Sequence, residues 1–499
     1  MPRAMADASA TRVTAEPPLR DWRLAQAGPR EERHELAAIL DTLGLHDTPF
    51  DPARPVIATG HQAWFWHPGI LAKDLAMSSA CERLGAQQVH LVVDHINNAA
   101  LAIDVPVRQG DALTVETLRL GSEDLALGTG QRPPLEPGAV GGAVADFEQT
   151  IEGETLVDLS VLRDAASQMD QASAFSLADS ITAMQLAWMR PMCSDFFVLR
   201  TSQLARLACF EALVGRMLQD AERCVSAYNE AVARVPEAGV APLLVERDRV
   251  ELPLWVVDAS GRGRVFADLA DHTPMLTRED GTPIERVQHS DGTSNYPLAP
   301  KALTLTAFMR SALCDLFIHG TGGGVYEQVT EHWWRQWGSG TAVSSVEGFD
   351  GRDAHPTTLA PLTVVSADIY LDTDAPVASQ AQLDHAVWFR HHLPHNIDRY
   401  LADSDALDAG MLDAKRHIVS GTTGDHLKPA RRAARRELRA INQAFAKQHP
   451  RLIADADTAV HRARQGVANA AIVNRRDWCF AFYPPEKLAE LRRTIAEST

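Results

Sequence analysis

Apolar positions recur along this chain in two rhythms. Within residues 30–45, Leu36, Ile39, Leu40 and Leu43 stand at helical spacing, which predicts an amphipathic helix. The run RPVIATGHQ is short, continuous and apolar, and reads as a buried strand. It hands over to HPGILAKDLAMSSACERLG, where Pro68 suits the first turn of a helix and Gly85 its stop. QQVHLVVDHI then reads as a second buried strand. Strand, helix and strand within about 40 residues make a βαβ unit, whose crossover is expected to be right-handed.

The pattern returns more than 200 residues later. ALTLTAFMRSALC reads as a helix, DLFIHG as a strand, TGGG as a loop and VYEQVTEHWWRQWG as a helix. One sheet assembled from both stretches is the economical reading, so the fold class is α/β. Between them, residues 133–189 carry nine acids (Glu136, Asp146, Glu148, Glu152, Glu154, Asp158, Asp164, Asp170 and Asp179) against one base, Arg163. This tract reads as a solvated insertion with helical parts. Residues 195–235 read as helical, and PLLVERDRVELPLWVVDASGRGRVFAD as strands and turns with a hairpin tip at Gly261 and Gly263.

Near the C-terminus, Ala434, Leu438, Ile441 and Phe445 are spaced 4, 3, 4. After His449-Pro450, Ile453, Ala456, Val460, Ala463, Val467 and Ala470 follow at 3, 4, 3, 4, 3. Two heptad-like stretches broken by a Pro turn predict an antiparallel helical hairpin. The resulting division is a core over 16–400, a hairpin over 401–476, and a closing segment over 477–499. That last segment combines a strand-like run with a short helix and is expected to pack back on the core. The first 18 residues read as a loose tail.

Composition adds exclusions. The 499 residues are 45% hydrophobic and 23% charged, with net charge −17. That is ordinary globular composition, and the acidic balance argues against a general nucleic-acid binder, which needs a basic face. No run approaches the ~18 apolar residues of a membrane span. The first residues lack the apolar stretch of a secretory signal. Cys81, Cys193, Cys209, Cys224, Cys314 and Cys479 are scattered singly in mostly apolar contexts. They read as free thiols, which implies a reducing, cytoplasmic setting.

Two regions carry candidate chemistry. In TGHQAWFWHPG, Thr59 and Gly60 end a strand where a ligand can approach the backbone, and the following helix offers free N–H groups to an anion. His61 and His67 flank an aromatic turn, and either can act as an acid or base or donate to a phosphate or carboxylate. Gln62 lies between them, and Lys73 adds charge one turn inside the helix. The next strand ends at the same sheet edge in Asp94-His95. The second region, FIHGTGGGVYEQ, repeats the arrangement with His319, a turn of Gly320, Gly322, Gly323 and Gly324 that can form an anion nest, and Tyr326. It is neither a Walker A loop nor a GxGxxG fingerprint.

Other clusters are less specific. His391 and His395 have the i, i+4 spacing of a zinc pair, with His385 and His392 nearby, but Pro394 breaks the helix and no third ligand is specified. No metal site is therefore assigned. Lys428, Arg431, Arg432, Arg435, Arg436 and Arg439 form a basic stripe. It suits a solvated helix face, an anion, or the acidic tract of the same or a second chain.

TGHQAWFWHPGILAK and VVDHINNA resemble the bacillithiol biosynthesis cysteine-adding enzymes (BshC). Those carry a Thr-Gly-Gln-Gln-Ala turn, a Gly-Pro helix start with a downstream Lys, and a Glu-Asp-His strand end. Thr59, Gly60, Gln62, Ala63, Lys73, Asp94 and His95 match, and HGTGGGVYEQ is similar to the family's later Gly-rich segment. The resemblance implies a Rossmann-like, nucleotidyltransferase-like core and a C-terminal antiparallel coiled coil that assists dimerisation. It also implies a ligase that joins cysteine to a sugar-derived acceptor through a C–N bond. His61 replaces a Gln, His67-Pro68-Gly69 replaces Gly-Pro with the proline shifted, and Asn97 and Asn98 replace acids. With these departures the chain resembles a distant branch of that family.

The leading expectation is a ligase forming a C–N bond between an amino acid, cysteine among the candidates, and a small polar or sugar-derived substrate. Nucleotidyl or adenylyl transfer and a non-catalytic scaffold are the alternatives. His61, His67, Asp94 and His95 are the candidate catalytic groups. Thr59, Gly60, Gln62, Lys73, His319, Gly320, Gly322, Gly323, Gly324 and Tyr326 are the candidate binding groups. A nucleotide is the candidate cofactor, and the expected partners are a small molecule and a homodimer mate reached through the hairpin.

Overall fold

The continuous apolar runs become the inner strands of one sheet. The computed structural model describes residues 11–25, 32–40, 49–170, 174–193, 196–271, 273–290, 292–338, 358–400, 408–421 and 428–497. The chain begins with β1 (Arg12–Glu16), α1 (Glu32–Ile39), β2 (Val56–Gln62), α2 (Pro68–Leu84) and β3 (Gln87–Val93). An insertion follows: β4 (Ala102–Gln109), β5 (Ala112–Arg119), α3 (Ala139–Thr150), β6 (Glu154–Thr155), α4 (Ser160–Met169) and α5 (Leu177–Met189). Next come β7 (Phe197–Arg200), α6 (Thr201–Leu204), α7 (Ala208–Gln219) and α8 (Ala221–Arg234). A second β-rich stretch holds β8 (Arg249–Asp258), β9 (Gly261–Asp268), β10 (Met275–Arg278), β11 (Val287–Gln288), β12 (Ser294–Asn295) and β13 (Leu298–Pro300). Then come α9 (Ala302–Phe308), β14 (Leu316–His319), α10 (Thr321–Trp333) and β15 (Leu362–Asp368). The chain closes with α11 (Gln380–His392), α12 (Ala409–Gly421), α13 (Lys428–Gln448), α14 (Pro450–Val473) and α15 (Pro485–Glu497).

Six strands form one sheet in the order β1-β15-β14-β2-β3-β7. β1 is antiparallel to β15, and the other neighbours are parallel. Counted in chain order, the parallel strands lie 3-2-1-4-5, so the order reverses between β2 and β14. Alternate residues of each inner strand feed separate cores, as the strand period of two requires. Ile57, Val92, Leu316 and Ile318 join one core with α2, α3 to α5, α15 and residues 478–483. Val56, Ala58, Val89, Leu91 and Phe317 join the other with α7 to α10 and the sheet β10-β9-β8-β13. A sheet buried on both faces explains why β2 and β14 read as unbroken apolar runs.

Several expectations change. Part of the expected loose tail is β1, an edge strand paired from Arg12↔Asp368 to Glu16↔Val364. Residues 1–10 lie outside the described residues. Of the helix expected over 30–45, the structure shows Glu32–Ile39, and 41–48 lie outside the described residues. The stretch 195–235 opens not with helix but with β7, which pairs with β3 from Val89↔Phe197 to Val92↔Arg200. The acidic tract is not solvated throughout. Leu177, Ala178, Ile181, Met184 and Met189 bury one face of α5 in the core. Asp179 is buried there, 2.5 Å from Arg200 Nε, and joins Ser176 in a capping box at the helix start. The strand-like CFAF run forms a tight 3-10 turn, and the N–H of Phe480 reaches the carbonyl of Trp66 at 2.7 Å.

The C-terminal arms are helical, but their seam is not a two-helix coiled coil. Ile441 and Phe445 of α13 pack with Leu393 and Ile397 from the turns after α11, with Ala456 of α14 in the same cluster. α14 lies alongside α11 and reaches β5. Gly466 lies against Val377 and Ala378. Asn469 is fully buried, donates to the carbonyls of Asp111 and Pro376 at 2.7 and 2.8 Å, and accepts the N–H of Leu113 at 2.9 Å. A heptad pattern specifies that a face is apolar, not which surface covers it. Here the body of the same chain covers it. Among the described residues, no helix is long and apolar enough to cross a membrane.

Candidate functional site

The two predicted strand-to-helix turns meet at the point where the strand order reverses. Thr59 of β2 pairs beside Ile318 of β14. A cleft of about 620 Å³ opens past these strand ends, the position where open α/β sheets bind ligands. His61, His67, His95 and His319 line it together with Gly60, Gln62, Lys73, Gly320, Gly322, Gly323 and Tyr326. Most of the predicted site residues are thus brought to one wall.

Three are not. The Thr59 hydroxyl is fully buried and donates to the Ile318 carbonyl at 2.9 Å, tying β2 to β14. Gly324 faces β15, where an added Cβ would meet Val364 at 2.7 Å. Asp94 is buried beneath the cleft at the start of α6. Its Oδ1 accepts the Thr201 hydroxyl at 2.6 Å and the Ser202 N–H at 3.0 Å, and its Oδ2 accepts the Ser202 hydroxyl at a short distance. It is not placed to touch a substrate.

Each imidazole has its own setting. His67 caps α2: its Nδ1 accepts the N–H of Gly69 at 3.0 Å, which leaves the neutral ring's proton on Nε2. His319 is held the same way, with Nδ1 accepting from Gly320 N–H at 3.0 Å and Nε2 2.7 Å from the Tyr326 hydroxyl. His95 differs, with Nδ1 2.8 Å from Thr201 Oγ1. His61 Nδ1 is buried without a hydrogen-bond partner. Burial is the main cause that keeps all four neutral. It lowers His67 to about 4, with Arg476 adding to the effect. It lowers His95 to about 4 against the opposing pull of the Asp94 carboxylate, and His319 to about 3, with Lys73 adding to the effect. His61 is pushed well down by burial and by neighbouring Lys73.

Lys73 is 2% exposed, and its ammonium donates to the Gly60 carbonyl at 2.6 Å. Burial lowers it to about 8, partly offset by Asp74. Gly60 lets β3 approach, since a Cβ there would lie 2.4 Å from the Leu91 carbonyl oxygen. Gly323 is required by His319, whose Nδ1 would lie 1.6 Å from an added Cβ. No side chain caps α10, so N–H groups of its first turn stand without intrahelical partners at the cleft.

The opposite wall was not legible in the sequence. Trp255 of β8, Arg262 of β9 and Lys301 ahead of α9 line it, with Arg476 at the rim. The Arg262 guanidinium lies 4.5 Å over the Trp255 ring, and Lys301 Nζ 4.4 Å from the same ring. Lys301 also pairs with Glu251, and Arg476 with Asp368 at 2.8 Å. The only available signal was the pair of arginines at the GRGR hairpin tip. Thr201 was missed because β7, a further parallel strand ending at this edge beside β3, was read as helix. Among the described residues, the cleft has four imidazoles and four cations on its walls and no carboxylate.

The remaining candidates lie elsewhere. His385 and His392 flank Trp388 at ring separations of 6.1 and 4.4 Å, and His391 and His395 are 6.2 Å apart. Among the described residues, no group of three His, Cys, Asp or Glu could hold a metal ion. Arg435 and Arg439 line a separate groove with Arg399 and Arg416. Arg431, Arg432 and Arg436 are exposed, and the Lys428 side chain lies outside the described residues. None of the six cysteines is joined in a disulfide, and five are buried.

No protein-family model matches the chain, and no curated protein matches it.

Proposed function

We propose that this protein is an enzyme whose cleft holds a small molecule with more than one negative charge and forms a C–N bond on it. This is the ligase reading suggested by the resemblance to the bacillithiol enzymes, on a Rossmann-like core. One observation carries it: a cleft lined by four imidazoles and four cations, without a carboxylate among the described residues. Such a lining attracts anions and repels no part of them. Its volume of about 620 Å³ lies within the range of small-molecule sites.

The chain's own groups divide the work. Lys73 and the first turn of α10 hold an anionic group at the sheet edge. The Nε2–H of His67 is a fixed donor, and His319 turns the Tyr326 hydroxyl outward as another. Arg262 and Lys301, oriented by Trp255, hold a second charge across the cleft. An amine pinned between these walls is brought to its acceptor without further loss of freedom, which is where orientation lowers a barrier. Charge that develops on the acceptor oxygen meets donors already in place.

A second reading, nucleotidyl or adenylyl transfer, is favoured by the uncapped start of α10 at the point of strand reversal. For assembly we propose a homodimer held through the exposed faces of α13 and α14, with a cytoplasmic setting. Calorimetry with inorganic phosphate, nucleotides, cysteine and phosphorylated amino sugars tests the cleft. A mixture of an amino acid and an amino sugar giving a new amide supports ligation. Pyrophosphate release from a nucleotide supports the second reading. Binding without turnover leaves the scaffold alternative, and no binding of any anion overturns the proposal.

A further inference from the structure

His95 is the one imidazole of the cleft whose hydrogen bonds leave a lone pair on Nε2. Thr201 Oγ1 has a single hydrogen, and it points to Asp94 Oδ1 at 2.6 Å. A hydroxyl that has given its hydrogen away can only accept. His95 Nδ1, 2.8 Å from that oxygen, must therefore donate. The Asp94 backbone N–H also reaches the same oxygen at 3.2 Å, which fills its acceptor side. Nε2 of His95 has no protein partner among the described residues, while His95 lines the cleft. His67 and His319 are fixed in the opposite sense, with Nδ1 accepting from backbone N–H groups.

We infer that Asp94 and Thr201 are positioning residues that lock His95 as its Nδ1–H tautomer, so that Nε2 of His95 is the proton acceptor of the cleft. The inference rests on the C–N bond-forming reading for the identity of the proton. As the amine attacks the carbonyl carbon of an activated acyl donor, the nitrogen lone pair forms the new C–N bond. The N–H proton passes to Nε2 with the N–H pair left on nitrogen, and the bond from that carbon to the donor's leaving oxygen breaks. The imidazolium charge is then stabilised through Thr201 by the Asp94 carboxylate. Asp94 and Arg262 are the charged groups that face His95, with opposite effects on it. The same proton returns to the leaving group, so none is gained or lost over the cycle. The logic is that of an orienting acid behind a base, with a hydroxyl placed between them.

The full chain labelled with ring-nitrogen-15 histidine tests this by long-range proton–nitrogen correlation, with His95→Gln identifying the signal. The expected pattern is Nδ1–H for His95 and Nε2–H for His67 and His319. Thr201→Ser should keep the His95 pattern, and Thr201→Val should lose it. A wild-type His95 carrying its proton on Nε2 would overturn the inference, as would a Thr201→Val protein with the pattern unchanged. If Thr201→Val does not fold, the wild-type and Thr201→Ser spectra still decide. A cleft that binds no anion would overturn the proposed function and leave the tautomer standing. The wrong tautomer would do the reverse.

Discussion

The ring of His319 and the hydroxyl of Tyr326 meet at 2.7 Å across the first turns of α10. Because His319 Nδ1 is occupied by the Gly320 N–H, the ring donates through Nε2, and the phenol keeps its own hydrogen for a ligand. Burial raises the Tyr326 pKa, so the donor persists through the neutral range. Tyr326→Phe is expected to weaken phosphate binding about 10-fold, the value of one hydrogen bond to a charged group. Calorimetry measures it, and unchanged affinity would place the anion elsewhere.

Lys73 gives the cleft its pH dependence on the alkaline side. Its pKa near 8 means that the ammonium form declines as pH rises from 7 to 9, and a bound anion favours that form. Phosphate affinity should therefore fall over this interval. Lys73→Met should weaken binding at pH 7 by about 10- to 100-fold and remove the alkaline dependence. A variant that keeps the same slope would show that another group titrates.

Acid should act on stability through the histidines. His67 and His95 lie near 4 and His319 near 3 when folded, against about 6.5 in an unfolded chain. Below that value the unfolded state binds more protons than the folded one, so stability falls as pH drops toward 4. Each group contributes at most about 1.4 kcal/mol per pH unit to the slope, and the partly exposed His67 and His319 contribute less than buried His95. Denaturant unfolding at pH 7 and pH 5 measures the loss. Saturating phosphate should reduce it, because an anion favours the protonated rings.

Two neighbouring glycines make a matched pair. Gly323→Ala drives a methyl into the His319 ring, whereas Gly322 has nothing within 4 Å of an added Cβ. Gly323→Ala should displace His319, lower the melting temperature and remove phosphate binding. Gly322→Ala should retain both. Equal behaviour of the two would show that the His319 rotamer is not what holds the turn.

α14 should behave as part of the body. Asn469→Ala removes three hydrogen bonds from a fully buried side chain to β5, its preceding turn and residue 376, at a cost of about 3 kcal/mol. Replacing 427–472 with a short Gly/Ser loop should lower the melting temperature as well as abolish the dimer in light scattering. A monomeric intact chain at micromolar concentration would overturn the dimer.

The turn after β2 and the turn after β14 were legible because each joins an unbroken apolar run to a helix across Gly or Pro. Those signals are local, and they placed His61, His67, Lys73 and His319 at one sheet edge, where they line the same cleft. The depth of Asp94 was not legible, because a carboxylate at a strand end looks the same whether it faces a ligand or Thr201. Trp255, Arg262 and Lys301 reach the cleft only through the tertiary placement of the β8–β9 hairpin. β7 escaped because four residues, Phe197–Arg200, run directly into a helix without a turn residue. The C-terminal seam showed its apolar face but not the neighbour that covers it.

The bond from Thr59 to Ile318 spans 259 residues, and Asp315 reaches back the same distance to the Val56 N–H. Contacts this remote are slow to form, because long loops must close before they contribute. A chain leaving the ribosome presents β2 and β3 long before β14 exists to cover the open edge of β2. During that interval the edge is exposed to pairing with another nascent strand. The cleft is therefore among the last features to mature, and a chain that stops short of β14 lacks the wall that carries His319 and Tyr326.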